Sequence, residues 1–285
     1  MIDHRRNPAL LVSLIGPFRM RATTGYHSLN LSGTTRNLLA YLMANAGKVT
    51  RREVLVELFW PDSNAERGRS ALTTALCRIK KVLGKIEGLE LEAFDDLVTL
   101  TAGADVEIDA LDLERCYDAA RRQLNDDGEL VLADRRALAS LLREASGVFL
   151  DGSDAHWVLV ERERVLALQI SALRLMMRDA EARGAYDDAI DWAQRTLAAD
   201  PLLEAVHYQL IDLYAKAGER RRAILQYERL WEILRDELGI EPDKKTTALR
   251  DKIITQAPAA ETRPSPCRPM RPAVFEDGDD AVTRI

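Results

Sequence analysis

The sequence predicts a mostly α-helical chain in two parts: first a small β-sheet, three helices and a β-hairpin, then helices alone. Three observations carry this. Period-two alternation is confined to residues 9–31 and 89–101, stripes at helical spacing fill most of the rest, and an internal repeat runs through the second part. In that repeat Gly184 and Gly218 are 34 apart, as are Ala189 and Ala223, which is the tetratricopeptide period. At 285 residues the chain is long enough for two cores.

Taken in order, residues 1–9 are polar and are expected to form a disordered tail. Residues 9–20 read as strands broken at Gly16–Pro17, with a further strand expected around Leu29–Leu31 after a turn at Thr24–Gly25. Leu38, Leu39, Leu42 and Met43 mark a helix over Thr34–Ala46 that Gly47 ends. Thr50 and Glu53 have capping-box spacing for a second helix through Val54, Leu55 and Leu58, which Pro61 stops near Phe59.

The third helix, Gly68–Gly84, carries the most chemistry. Leu72, Leu76, Ile79 and Leu83 form its apolar stripe, flanked by Ala75. The opposite face presents Ser70, Thr73, Thr74, Cys77, Lys80 and Lys81, with Arg69 and Arg78 at its borders and no acidic residue. Small polar side chains in the early turns suit base edges, and cations suit phosphates, in a helix that enters the major groove N-terminus first. The competing reading is a solvated helix whose late cations favour the helix dipole. Three helices in this order make a helix-turn-helix variant. Arg51 and Arg52, at the start of the second helix, are then candidates to clamp a phosphate. The connecting loop with Asp62, Asn64 and Glu66 is either a surface connector or a protein contact.

A hairpin follows, with Leu89–Phe94 and Leu97–Thr101 around Asp95–Asp96. Its turn is doubly acidic, and Glu90 and Glu92 add to that, so it is read as a solvated hairpin rather than a DNA contact. From Asp105 strands disappear. Leu113, Tyr117, Ala120 and Leu124 mark one helix, and Val131, Leu138, Leu141 and Ala145 the next. Ser153 or Asp154 is expected to cap a long helix with a stripe through Leu159, Leu166, Ile170, Leu173, Met177 and Ala180. Trp157 is read as core, and Trp192, Tyr208, Tyr214, Tyr227 and Trp231 as the interior of the repeats. Residues 258–285 are rich in Pro and Ala near their start and have little to bury, so a disordered tail is expected.

Net charge is −6, but residues 1–103 carry +4, residues 104–257 carry −9, and the tail −1. A basic module joined to an acidic one fits a nucleic-acid reader with a separate interaction domain. No glycine-rich phosphate loop is present. His4, His27, His156 and His207 are scattered, and Cys77, Cys116 and Cys267 form no metal or disulfide pattern. The expectation is therefore a protein that is not an enzyme, with no cofactor and no metal. No apolar run reaches membrane length and no signal segment opens the chain, so a cytoplasmic location without membrane contact is expected.

The run Gly47-Lys48-Val49-Thr50-Arg51-Arg52-Glu53-Val54-Leu55, then Leu58-Phe59-Trp60-Pro61, then Arg69-Ser70-Ala71-Leu72 and Arg78-Ile79-Lys80-Lys81-Val82-Leu83-Gly84 resembles the OmpR-type winged helix. The turn at Phe149–Asp154 followed by Trp157 and Glu161-Arg162-Glu163-Arg164 resembles the bacterial transcriptional activator domain (BTAD). Together they resemble Streptomyces antibiotic regulatory proteins over residues 10 to about 255. The resemblance implies a winged-helix DNA-binding domain at 10–103 and a tetratricopeptide-like activator domain at 104–257. It further implies a transcriptional regulator, an activator on tandem direct repeats, with the third helix reading double-stranded DNA. The loop bearing Asp62, Asn64 and Glu66 would face RNA polymerase, and the protein would act as a homodimer on DNA; a small-molecule effector is not identified. Only nine residues precede the winged helix, so no phosphoacceptor module is expected. The alternative is a helical scaffold or ligand-sensing adaptor with a degenerate winged helix, which the acidic hairpin favours.

Overall fold

The computed structural model describes residues 8–22, 25–26 and 30–255. The N-terminal part runs β1 (Leu10–Ser13), β2 (Arg19–Ala22), β3 (Gly25–Tyr26), α1 (Gly33–Ala44), β4 (Val49–Arg51), α2 (Arg52–Phe59), α3 (Ala65–Leu83), β5 (Leu89–Phe94), β6 (Leu97–Ala102) and β7 (Val106–Ile108). Seven helices follow: α4 (Asp109–Asp127), α5 (Leu132–Glu144), α6 (His156–Ala182), α7 (Tyr186–Ala199), α8 (Glu204–Lys216), α9 (Arg220–Leu238) and α10 (Lys244–Thr255). The expected mostly helical architecture, with a small sheet, three helices and a hairpin before a helical repeat, is the one observed.

Two small sheets frame the three N-terminal helices, in the orders β3-β2-β1-β7 and β4-β6-β5. The hairpin β5–β6 pairs Phe94 with Leu97 across the Asp95–Asp96 turn and buries Leu89, Leu91, Val98 and Leu100 on one face. Strand alternation thus gives this hairpin a core side and a polar side. α1, α2 and α3 close the core with Leu38, Leu39, Leu55, Leu72 and Ile79, all with at most 1% of their surface exposed.

Several local expectations are corrected. Asn30 and Leu31 are not in a strand, and Leu29 and Thr24 lie outside the described residues, as do 1–7 and 256–285. The capping box does not form. Thr50 belongs to β4, where it pairs with Val98, and Arg51 is the N-cap of α2 with no side-chain cap bond. Pairing of a strand with β6 fixes the Thr50 backbone, so its hydroxyl is not available at the helix end. α3 starts three residues earlier than expected, because the Asn64 side chain accepts from Arg67 N at 2.9 Å. Ala155, not Ser153 or Asp154, precedes α6, again without a side-chain cap. Leu159 is exposed, and Val158 and Val165 take its expected place in the core.

The helical part is a stack. α6 packs on α7 and α8 on α9, and Gly184 (φ +73°) and Gly218 (φ +80°) turn the chain after the first helix of each pair. Left-handed backbone there favours glycine. Ala189 and Ala223 are fully buried where the paired helices meet. Trp192, Tyr214 and Tyr227 are core as expected, but Tyr208 and Trp231 are exposed; Arg235 stacks on Trp231 with its guanidinium carbon 4.5 Å from the ring centroid. α4 and α5 also pack on α6.

The join between the two parts is not a free linker. β7 returns to β1 and pairs parallel, Leu10 with Val106 and Val12 with Ile108. Immediately after it, the buried Asp109 carboxylate accepts from Leu14 N (2.8 Å), Ile15 N (3.1 Å) and Ala110 N (2.7 Å). The loop before α6 adds Gly16 N to Val148 O at 2.8 Å and Leu150 N to Leu14 O at 2.7 Å.

Candidate nucleic-acid interface

α3 lies across the N-terminal part with Leu72, Ala75, Leu76, Ile79 and Leu83 buried. Gly68 allows α2 to come close: a Cβ there would stand 2.5 Å from Val56 Cγ1. This packing turns Arg69, Ser70, Thr73, Thr74, Cys77, Arg78, Lys80 and Lys81 outward, and all are exposed. The structure therefore brings eight of the ten expected DNA-facing residues onto one helix face. The Thr73 hydroxyl donates to Arg69 O at 2.9 Å and the Thr74 hydroxyl to Ser70 O at 3.0 Å. With their protons engaged, both threonines present acceptor lone pairs and a methyl group outward.

Arg51 and Arg52 sit apart from that face. Arg51 lies in β4 opposite Leu97, and Arg52 opens α2 with its N–H donating to Asp96 O at 2.8 Å. The hairpin turn thus occupies the N-terminus of α2 and brings the Asp96 carboxylate beside it. A cleft of about 490 Å³ between α2, α3 and this turn is lined by Arg52, Arg69, Glu53, Glu57 and Asp96. Arg69 reaches Glu53 at 3.9 Å with both side chains about 70% exposed (69% and 71%), so the pair stabilises little. Positive charge on this flank is largely answered by carboxylates already there. At the hairpin tip Phe94 is 78% exposed.

Of the three residues expected in the α2–α3 loop, Asp62 lies there and is exposed, Asn64 has the structural task of capping α3, and Glu66 falls instead in the exposed first turn of α3, because the helix starts at Ala65. Trp60 is half-buried with its ring 6.1 Å from that of Phe59.

Trp157 is core, and the core it joins is shared by the two parts. Its ring meets Tyr41 of α1 at 5.1 Å, Phe59 of α2 at 6.3 Å and Phe149 at 6.2 Å, edge to face. Arg162 pins the preceding loop by donating to the carbonyls of Phe149 (2.9 Å), Leu150 (2.9 Å) and Ser153 (2.8 Å). Burial pushes the Asp109 carboxyl up from 3.8 to about 6, against the three N–H bonds that pull it down.

Sequence reasoning missed Arg67, Asp109 and Arg162. Asn64 followed by Glu66 was a usable signal for a helix start that would have brought Arg67 onto the face. Nothing local marked Asp109, whose partners are remote, and the motif that holds Arg162 did not show that it grips an irregular loop. Among the described residues no group of His, Cys, Asp and Glu is arranged to hold a metal, and no helix is long and apolar enough to cross a membrane. Cys77 is exposed and Cys116 buried; neither is in a disulfide.

Comparison with known proteins agrees with this architecture. The family model described as bacterial transcriptional activator domain matches residues 108–254, and the one described as transcriptional regulatory protein, C terminal, matches 26–92. The regulatory protein AfsR of Streptomyces coelicolor is 26% identical over 286 residues, covering 96% of this chain but only 28% of AfsR. The transcriptional regulatory protein MoaR1 of Mycobacterium tuberculosis is 27% identical over 243 residues, covering 81% of this chain and 77% of MoaR1. The transcriptional regulator RedD of Streptomyces coelicolor is 25% identical over 260 residues, covering 87% and 71%. The solved structure of Mycobacterium tuberculosis EmbR in complex with a low affinity phosphopeptide has the same fold, with a TM-score of 0.68 at 22% identity, over 89% of this chain and 67% of that one. These relatives are regulators, not enzymes. A winged helix with an outward α3, fused to helices that a family model spans from 108 to 254, makes this chain a member of the bacterial transcriptional activator domain family, among transcriptional regulators of the Streptomyces antibiotic regulatory protein type.

Proposed function

We propose that the chain is a sequence-specific activator that places α3 in the major groove of promoter DNA. The observation that carries this reading is the outer face of α3, where no carboxylate occurs from Arg67 to Leu83 while five cations and four small polar side chains do. Ser70, Thr73, Thr74 and Cys77 face bases; Arg69, Arg78, Lys80 and Lys81 face phosphates. Arg51 and Arg52 contribute long-range charge from beside the acidic turn. The hairpin stays off the DNA, since Glu90, Glu92, Asp95 and Asp96 repel phosphate.

Two copies bind tandem direct repeats about 10–10.5 bp apart, which puts both recognition helices on one side of the duplex. The acidic helical part supplies contacts between copies, and Asp62 of the α2–α3 loop, with Glu66 in the first turn of α3, meets RNA polymerase.

The test is selection of duplex sites from a random pool by the full chain, followed by titration in salt. Lys81→Ala is expected to weaken every duplex and flatten the salt dependence, and Thr73→Ala to change preference at one base pair. Selection that recovers no preferred sequence, with binding indifferent to salt, rejects the reading in favour of an adaptor. Inserting half a helical turn between repeats is expected to abolish cooperative binding.

A further inference from the structure

The two flanks of α3 are not alike. On the flank opposite the hairpin, α3 and the first turn of α1 enclose a cleft of about 440 Å³. Ser32, Thr34, Trp60, Arg67, Thr74 and Arg78 line it, and none of its lining residues is acidic. Arg67 and Arg78 are both exposed, and neither forms an ion pair among the described residues. They are three helical turns apart on one edge of α3, about 16 Å along its axis, and both line the cleft. The hairpin-side cleft instead holds Glu53, Glu57 and Asp96 around its two arginines.

We propose that the α1-side cleft is a phosphate seat, in which Arg67 and Arg78, with the Thr34 hydroxyl, grip one DNA strand and make the grip on DNA one-sided. This rests on the reading of α3 as the DNA-facing helix and adds what holds the duplex against it. Backbone phosphates of one strand are the fitting occupants: Arg67 and Arg78, about 16 Å apart along the helix, would each take a different phosphate of that strand, with no carboxylate in the cleft lining to repel it. On the other flank a phosphate would face three carboxylates. Duplex DNA would then be anchored from the α1 side, with the acidic hairpin left on the side away from that anchor.

Arg67 can be tested without disturbing the helix, because only its backbone N–H makes the bond to Asn64. The full-length parent, Arg67→Ala and Arg67→Lys are titrated against the selected site and against mixed-sequence duplex over a range of salt. Loss of one phosphate contact is expected to reduce the salt slope by about 0.9, which is about eightfold in affinity at 0.1 M salt, equally on both duplexes. Arg67→Lys should retain the slope. Single methylphosphonates, placed one at a time along both strands, should include a position that weakens the parent but not Arg67→Ala. A parent with steep salt dependence and an Arg67→Ala protein that matches it in slope and at every methylphosphonate overturns the seat while leaving the DNA reading intact. A parent without salt-dependent duplex binding overturns both.

Discussion

Asp109 offers a quantitative test of how the two parts are joined. Asp109 is 8% exposed, and its carboxylate accepts three backbone N–H groups, two of them from the segment just after β1. Its pKa is raised from 3.8 to about 6 because burial outweighs those bonds. A shift of about two units corresponds to about 3 kcal/mol at 1.36 kcal/mol per unit. The sign follows from proton linkage: the folded state holds the proton more tightly, so this group's contribution becomes more favourable as pH falls from about 7 to about 4. Asn at this position does not titrate. It keeps an acceptor for Leu14 and Ala110 but turns an N–H toward that of Ile15, an unmet buried donor costing about 1–3 kcal/mol. At pH 7 the loss of the buried charge offsets much of that, so parent and Asp109→Asn should have similar urea midpoints. At pH 4, where the unfolded carboxyl is only partly protonated, the parent should be the more stable by about 2 kcal/mol more than at pH 7. Urea unfolding of both proteins at the two pH values, followed by circular dichroism, gives this difference of differences. Parallel behaviour, or a parent that loses stability relative to the variant on acidification, would refute burial as the dominant influence on Asp109.

Three further outcomes are expected. Trp157→Ala should lose about 3–5 kcal/mol in urea unfolding, because it empties a site that Tyr41, Phe59 and Phe149 all contact. Gly68→Ala should destabilise by about 1–3 kcal/mol despite the higher helix propensity of alanine, since the added methyl would meet Val56 Cγ1 at 2.5 Å; a raised melting temperature would contradict the α2–α3 packing. Asn64→Ala should lose about 1 kcal/mol by uncapping α3. A polymerase-contact test is therefore cleaner as Asp62→Ala with Glu66→Ala, which should lower transcription in vitro and leave DNA affinity unchanged.

The fold was legible wherever a periodic stripe exceeded about two turns. α3 could be read from Leu72 to Leu83, and the repeat from two glycines and two alanines, because those positions answer to local geometry. What could not be read was decided by distant backbone. Thr50 has the spacing of a capping residue, yet β6 claims its main chain; β3 and β7 are too short to show a period. Trp157 was readable as core, but not that two of its three ring neighbours come from α1 and α2. For the interface, the outward face of α3 was legible residue by residue. Its two flanks were not, because the difference between them is made by α1 on one side and the Asp96 turn on the other.

The pairing of β7 with β1 also has a consequence for the order in which the chain matures. Leu14 and Asp109 are 95 residues apart, and translation adds about 5–20 residues per second. For roughly 5–20 s after β1 leaves the ribosome its outer edge has no partner, and Phe149 and Trp157 emerge later still. During that interval an unpaired strand edge and an uncovered apolar surface are open to other nascent chains and to proteases. A DNA reader cut at residue 103 would hold that immature state permanently. The N-terminal sheet and the core around Trp157 are thus completed only after Asp109 and the loop before α6 have been made.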